Sequence, residues 1–195
     1  MGSAAENYSK LRDVAPVEWP AYLRERSGLP GPRANLTLAA AAATYADAAA
    51  IEALLADGGE YQTMCAAAGL GLRSDDADAE VRARRLASDA RWRVREGVAI
   101  GLQMLGDTAF AHVARIVLDW VDDPDPLVQR AAVATICEPR LLRAPDAAAI
   151  AIEACRRATV HLSAMPARRR KEPDARTLRQ ALGYCWSVAV AADPD

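Results

Sequence analysis

Apolar residues along this chain recur three and four positions apart, the spacing that puts side chains on one face of a helix. After Asp89, the residues Val94, Val98 and Leu102 fall at i, i+4 and i+8; after Asp123, Val128, Ala132 and Ile136 do the same. The segments 89–102 and 123–136 align without a gap at an offset of 34 residues. Each opens on an acidic residue whose side chain can cap the first turn of a helix. Further copies lie at Met64–Leu72 and Leu178–Trp186, so the intervals are about 30, 34 and 50 residues, the last stretched by an insertion at 144–173. Self-similarity at such periods predicts stacked supersecondary units. Every long apolar pattern has the helical period, which predicts an all-α chain of at least eight helices with no sheet.

The repeated segments predict inner helices near 60–72, 91–105, 126–137 and 174–191, paired with outer helices near 47–57, 77–88, 108–122 and 146–164. Pro124, Pro139, Pro145, Pro166 and Pro173 fall between these stretches, and Pro126 at the first position of one. A residue without an N–H breaks a helix interior but is harmless there. Upstream, helices are expected near 5–13, 18–27 and 36–46, interrupted by the breaker cluster Ser27–Pro32. The expected organisation is an N-terminal helical cap, 1–46, followed by a repeat array, 47–195; a cap covers the apolar face that a terminal repeat otherwise exposes. The chain ends on Asp193-Pro194-Asp195, a turn of the kind that introduces another helix, and the array is expected to continue past it.

Composition supports the helical reading. Of 195 residues, 52% are hydrophobic but only 5% aromatic, and alanine is abundant; small side chains let helices approach closely. The net charge of −2 offers no global attraction to nucleic acid. Cations are concentrated, however, at Arg82, Arg84, Arg85, Arg91, Arg93 and Arg95, and again at Arg168–Lys171. The first three sit near a helix end, where cations complement the dipole. The second run is expected to be a loop, either solvated or in contact with a phosphate or an acidic partner. Cys65, Cys137, Cys155 and Cys185 form no CxxC pair and lie in apolar patterns; they are expected to be buried, reduced thiols. With only His112 and His161 besides, neither a metal site nor a cofactor is expected. No signal-like apolar region opens the chain, and Ala39–Ala43 is too short to span a bilayer, so a cytoplasmic protein without membrane contact is expected. A P-loop and a Ser-His-Asp arrangement are both missing.

The segment Asp89…Val94-Arg95, and Asp123-Pro124-Asp125…Val128-Gln129-Arg130 with its arginine displaced by one, resemble HEAT repeats: an acidic turn, Val-Arg, then small and apolar residues in the second helix. The resemblance covers about two thirds of the chain. It implies a right-handed α-solenoid of about four HEAT-like helix pairs behind the N-terminal cap. Such folds specify architecture better than function. The leading expectation is a non-enzymatic scaffold that holds a protein or nucleic-acid partner on its concave face.

A narrower resemblance is to bacterial alkylpurine DNA glycosylases built from HEAT-like repeats. Trp92 and Glu96, four apart on one helix, Arg130 in Gln129-Arg-Ala-Ala132, and Tyr184 after Leu182-Gly183 are similar to that family's elements. The resemblance implies that Glu96 stabilises positive charge developing on the sugar or positions water. It implies that Trp92 and Tyr184 contact an electron-poor base and that Arg130 holds a phosphate. Glu96 stands where the family has Asp, and Tyr184 where it has Trp. A third reading, an enzyme accessory such as a lyase subunit acting on a protein-bound cofactor, fits the same fold.

Each of these residues also has a structural reading. Trp92 lines a groove or covers a helix start. Glu96 is catalytic or pairs with Arg93 or Arg130. Arg130 is a ligand or bonds the acidic turn at Asp89 or Asp123. Arg95, beside Trp92, is taken as a binding residue that adds positive potential. Tyr184 and Trp186 lie two apart and point to different faces, one of them into the core.

Overall fold

The computed structural model describes residues 6–143 and 145–193. Among them are ten α-helices and no strand. They form two compact units, Met1–Leu102 and Gln103–Asp195. The first holds 3-10 turns at Glu6–Asp13 and Pro16–Glu18, then α1 (Trp19–Arg26), α2 (Leu36–Tyr45), α3 (Ala48–Asp57), α4 (Glu60–Leu72), α5 (Ala77–Leu86) and most of α6 (Trp92–Gly106). The second holds α7 (Phe110–Trp120), α8 (Pro126–Ile136), α9 (Pro145–Ala164) and α10 (Pro173–Ala192). Every α-helix lies within two residues of its sequence expectation; the first N-terminal segment is 3-10 rather than α. The expectation for the Asp-Pro-Asp ending falls on Pro194 and Asp195, outside the described residues. No helix among the described residues is long and apolar enough to cross a membrane.

Polar residues at the helix starts fix the boundaries. The side chains of Asn35, Asp47 and Asp76 accept from the amides of Leu38, Ala50 and Ala79 at 3.0, 2.8 and 3.0 Å, satisfying donors that lack intrahelical partners. Gly58 ends α3 at φ 73°, a left-handed conformation that costs other residues more.

In the first unit, α4 is the central element, packed against α1, α2, α3 and α5. It is buried continuously from Tyr61 to Gly71. Its remaining side meets α6 at very short range. A methyl group at Gly97 would lie 2.3 Å from the Met64 carbonyl oxygen, and one at Gly101 2.2 Å from that of Ala68. The Arg93 guanidinium reaches the Glu60 carboxylate at 3.1 Å. The pairs 60/93, 64/97 and 68/101 share one offset of 33, so α4 and α6 run parallel and in register. The sequence alignment of Met64 with Val94 pairs equivalent repeat positions and carries no contact register between the two helices. A helix buried all round has no apolar stripe from which to read its rotation.

Arg73, just past α4, closes the top of α2. Its Nη1 donates to the carbonyls of Ala43 (2.8 Å) and Gly69 (2.9 Å), and its Nη2 donates to that of Ala46. Burial lowers its pKa, opposed by Asp47 and Asp75. Arg73→Met leaves two carbonyls at the end of α2 without a donor and is expected to cost about 1–3 kcal/mol in urea unfolding. An unchanged midpoint would show that solvent satisfies them.

The 34-residue repeat is visible in the hydrogen bonds. The Oδ1 of Asp89 accepts from the amide of residue 91 at 2.8 Å, and that of Asp123 from the amide of residue 125 at 2.7 Å. Arg95 Nη1 donates to the Asp89 carbonyl at 2.6 Å, and Gln129 Nε2 to the Asp123 carbonyl at 2.6 Å. The turn bonds 87→83, 88→85, 89→86 and 94→91 recur as 121→117, 122→119, 123→120 and 128→125. Gln129 thus performs the work of Arg95, which accounts for the displaced arginine. Val94, Val98, Leu102, Val128, Ala132 and Ile136 are all buried, at most 3% exposed.

In the second unit, α8 packs against α7, α9 and α10. Cys137 and Cys155 meet at 3.6 Å between sulfurs, and Cys185 Sγ donates to the Val133 carbonyl at 3.5 Å. All four cysteines are buried free thiols.

Candidate functional site

Helix α6 carries three stripes. Val94, Val98 and Leu102 enter the core, and Gly97 and Gly101 abut α4. Trp92, Glu96 and Ile100, each four apart, line a cleft of about 270 Å³. Met64 of α4 contributes to its apolar surface. The segment leading into α2 supplies Pro32 and Arg33, and α2 itself Leu36. Trp92 and Leu36 are 54% and 55% exposed and present apolar surface at the cleft. Arg93 lies with its guanidinium carbon 4.5 Å from the Trp92 ring centroid, a cation–π contact, while it pairs with Glu60. Its Nε is buried without an acceptor among the described residues. Arg93 also lines a second, more open cleft of about 410 Å³ with Arg24, Leu29 and Gln62. The arrangement is an exposed indole, an apolar floor, one carboxylate and a fixed guanidinium, suited to a flat or apolar group that also bears polar atoms.

The cationic stretch around this helix is largely spent on structure. Arg82 pairs with Glu52 at 2.5 Å. Arg91 binds Asp89 through Nε and Nη2 at 2.9 and 2.7 Å, and its Nη1 reaches the Gly58 carbonyl at 2.7 Å. Arg95, expected to be a binding residue, donates to the carbonyls of Asp89 and Ala90, at 2.6 and 3.0 Å, and so holds its own turn.

Hydrogen bonding from Arg91 holds the Asp89 carboxyl below its ordinary 3.8, assisted by the charges of Arg91 and Arg95 and opposed by burial. The folded state therefore favours the carboxylate. Its contribution is present above the ordinary value and is lost as pH falls through the lower folded value. Asp89→Asn is expected to lower the urea midpoint at pH 7. The gap to the wild type should narrow as pH falls from the ordinary carboxyl value of 3.8 toward the lower folded value. A constant gap across that range would remove the linkage.

Trp92 and Glu96 are brought together on one cleft. Arg130 and Tyr184 belong to the second unit. Arg130, on α8, is half-buried near Cys185. The Cys185 thiol is held down by a hydrogen bond from Cys137 and further by the Arg130 charge, against burial. Tyr184 is 63% exposed on α10. Trp186 is half-buried, its Nε1 donating to Thr159 Oγ1 at 3.0 Å. Neither Tyr184 nor Trp186 enters the core, which α10 reaches through Ala175, Leu178, Leu182, Cys185 and Ala189. Sequence reasoning placed Arg93 only in the cationic cluster and as a candidate partner of Glu96, and missed the opposite wall at Leu36. The i, i+4, i+8 set Trp92, Glu96, Ile100 was available as a signal; the wall, which comes from a distant segment, was not.

Set against protein-family models, curated proteins and solved structures, the chain has no match in any of the three.

Proposed function

We propose that this chain is a HEAT-like repeat binding scaffold, its helix pairs stacked as an α-solenoid, that takes a protein or nucleic-acid partner without transforming it. The recurrence of the Asp89 turn at Asp123, bond for bond, supports the repeat reading. The Trp92 cleft supports the binding reading. The exposed indole beside Leu36, Met64 and Ile100 offers a partner apolar surface to bury. A photo-crosslinking residue at Leu36 is expected to capture one discrete partner in extracts of the native host. Trp92→Ala is expected to abolish that capture while leaving the melting temperature within a few degrees. Capture that is diffuse, or that survives Trp92→Ala, counts against the cleft.

A second reading is carried by one observation: Trp92 and Glu96 line the same cleft. In an alkylpurine glycosylase, Glu96 would stabilise the developing sugar cation beside an aromatic that contacts the base. Release of alkylated bases from methylated DNA by the purified chain, lost in Glu96→Gln with DNA binding retained, would establish it. Under the scaffold reading no base is released by either form.

A further inference from the structure

The cationic run Arg168–Lys171 is not an open loop. Residues Arg169–Lys171 form a 3-10 turn between α9 and α10. Its backbone is tied by 170→166, 171→168 and 172→169 bonds of 3.1 Å each, and Arg176 Nε donates to the Lys171 carbonyl at 2.9 Å. Arg169 alone takes up the neighbouring acids: it bonds Asp174 at 2.6 Å and Glu172 at 3.0 Å. Hydrogen bonding from Arg169 holds the Asp174 carboxyl below its ordinary value, against burial. With both acids neutralised, Arg168, Arg170 and Lys171 have no carboxylate partner among the described residues, and neither does Arg179, from the second turn of α10.

Three of these cations surround one cleft. Arg170, Lys171 and Arg179 line a hollow of about 420 Å³, within the ~300–1,000 Å³ of small-ligand sites. Leu162 and Ala167 give it an apolar surface, and Thr159 and Ser163 also line it, their hydroxyls donating to the Cys155 and Val160 carbonyls. The Thr159 hydroxyl also receives the Trp186 indole N–H, so an indole stands beside the hollow. Helix α9 ends at this point, and its dipole gives the cations a structural use. That use accounts for one or two of them; it does not account for Arg179, which comes from the other helix, or for the apolar hollow the three enclose.

The geometry points to a second binding site here, for single-stranded nucleic acid. Phosphates lie against Arg170, Lys171 and Arg179, and one unstacked base rests on Leu162 and Ala167 beside Trp186. Cations tracking the backbone and an aromatic or apolar platform for a base are the means by which single strands are held without sequence preference. A hollow of this size takes one nucleotide unit and excludes a duplex. The site belongs wholly to the second unit and does not rest on the Trp92 cleft.

Fluorescence anisotropy with a labelled 12-nucleotide single-stranded DNA tests the assignment on the full chain. The wild type is expected to bind, with log K falling linearly in log[salt]. The triple variant R170A/K171A/R179A is expected to bind roughly tenfold more weakly or worse, with a salt slope shallower by about 2, since each phosphate contact contributes ~0.7 on single strands. Trp186→Ala should weaken binding with the slope unchanged. Lys10→Ala, which removes an exposed cation of the first unit that lines neither cleft, should leave both untouched, so that loss of a surface charge alone does not explain the effect. Each variant is checked by thermal melting. Binding that is absent, or equal in wild type and triple variant, overturns the proposal. So does a triple variant that only lowers the melting temperature, which reduces the cations to helix stabilisers. Preference for a phosphoserine peptide or for phosphatidylglycerol vesicles over the oligonucleotide assigns the hollow to another ligand class and also overturns it.

Discussion

Gly97→Ala and Gly101→Ala are each expected to destabilise the protein by about 3 kcal/mol or more, the upper end of what overpacking costs. The added methyl meets backbone in both cases, the Met64 oxygen at 2.3 Å and the Ala68 oxygen at 2.2 Å. A side chain could rotate away; a carbonyl inside α4 cannot move without displacing the helix. Nor can α4 retreat, because α1, α2, α3 and α5 pack around it. The reverse contact is equally tight, since a methyl at Gly71 would lie 2.8 Å from the Val98 oxygen. The double variant should fail to give a cooperative transition. Gly183, around which no atom lies within 4 Å of an added methyl, is the control: Gly183→Ala on α10 should be neutral or stabilising by up to ~1 kcal/mol, because alanine favours helix. Denaturant unfolding of the four variants decides the matter. Equal midpoints for Gly97→Ala and Gly183→Ala would mean that the two helices are not in contact at that register.

These glycines mark where sequence reasoning stops. The helices themselves were legible, because amphipathic spacing, acidic caps and the placement of prolines all concur along the chain. The repeat was legible where one face is polar: Val94 and Val128 align because Arg95 and Gln129 sit at the same step of the helix. Around α4 that contrast vanishes. Its buried run from Tyr61 to Gly71 offers only small and apolar residues, so any of several registers looks equally good, and the spacing of Gly97 and Gly101 against Met64 and Ala68 emerges only in three dimensions.

The candidate site divides in the same way. Trp92 and Glu96 were legible because four residues on a helix guarantee a shared face. The cleft they line was not, since its far wall comes from residues 32–36, some 60 positions earlier in the chain. The charge of Arg95 is visible in sequence and its acceptors are not: they are the backbone carbonyls of Asp89 and Ala90. The run at 168–171 was read as a loop because its ordering depends on Asp174, whose pairing with Arg169 is a tertiary fact.

Leu102→Ala is expected to cost about 2–5 kcal/mol, and to lie in the upper half of that range. The lower half belongs to sites whose surroundings collapse into the space vacated. Leu102 is fully buried, and its own backbone is pinned: its amide nitrogen would be 3.0 Å from a methyl placed on Gly71, and Gly101 beside it abuts the Ala68 carbonyl. The walls therefore stay in place and the cavity remains open. Ile100, two residues earlier, is the contrasting case. It is half-buried and lines the Trp92 cleft, so Ile100→Ala enlarges a space already open to solvent and should cost about 1 kcal/mol, well short of a closed core cavity. The pair reads the rotation of α6 directly. A Leu102→Ala loss under about 1 kcal/mol, or an Ile100→Ala loss equal to it, would place Leu102 outside the core and turn the Trp92–Glu96–Ile100 stripe away from its cleft.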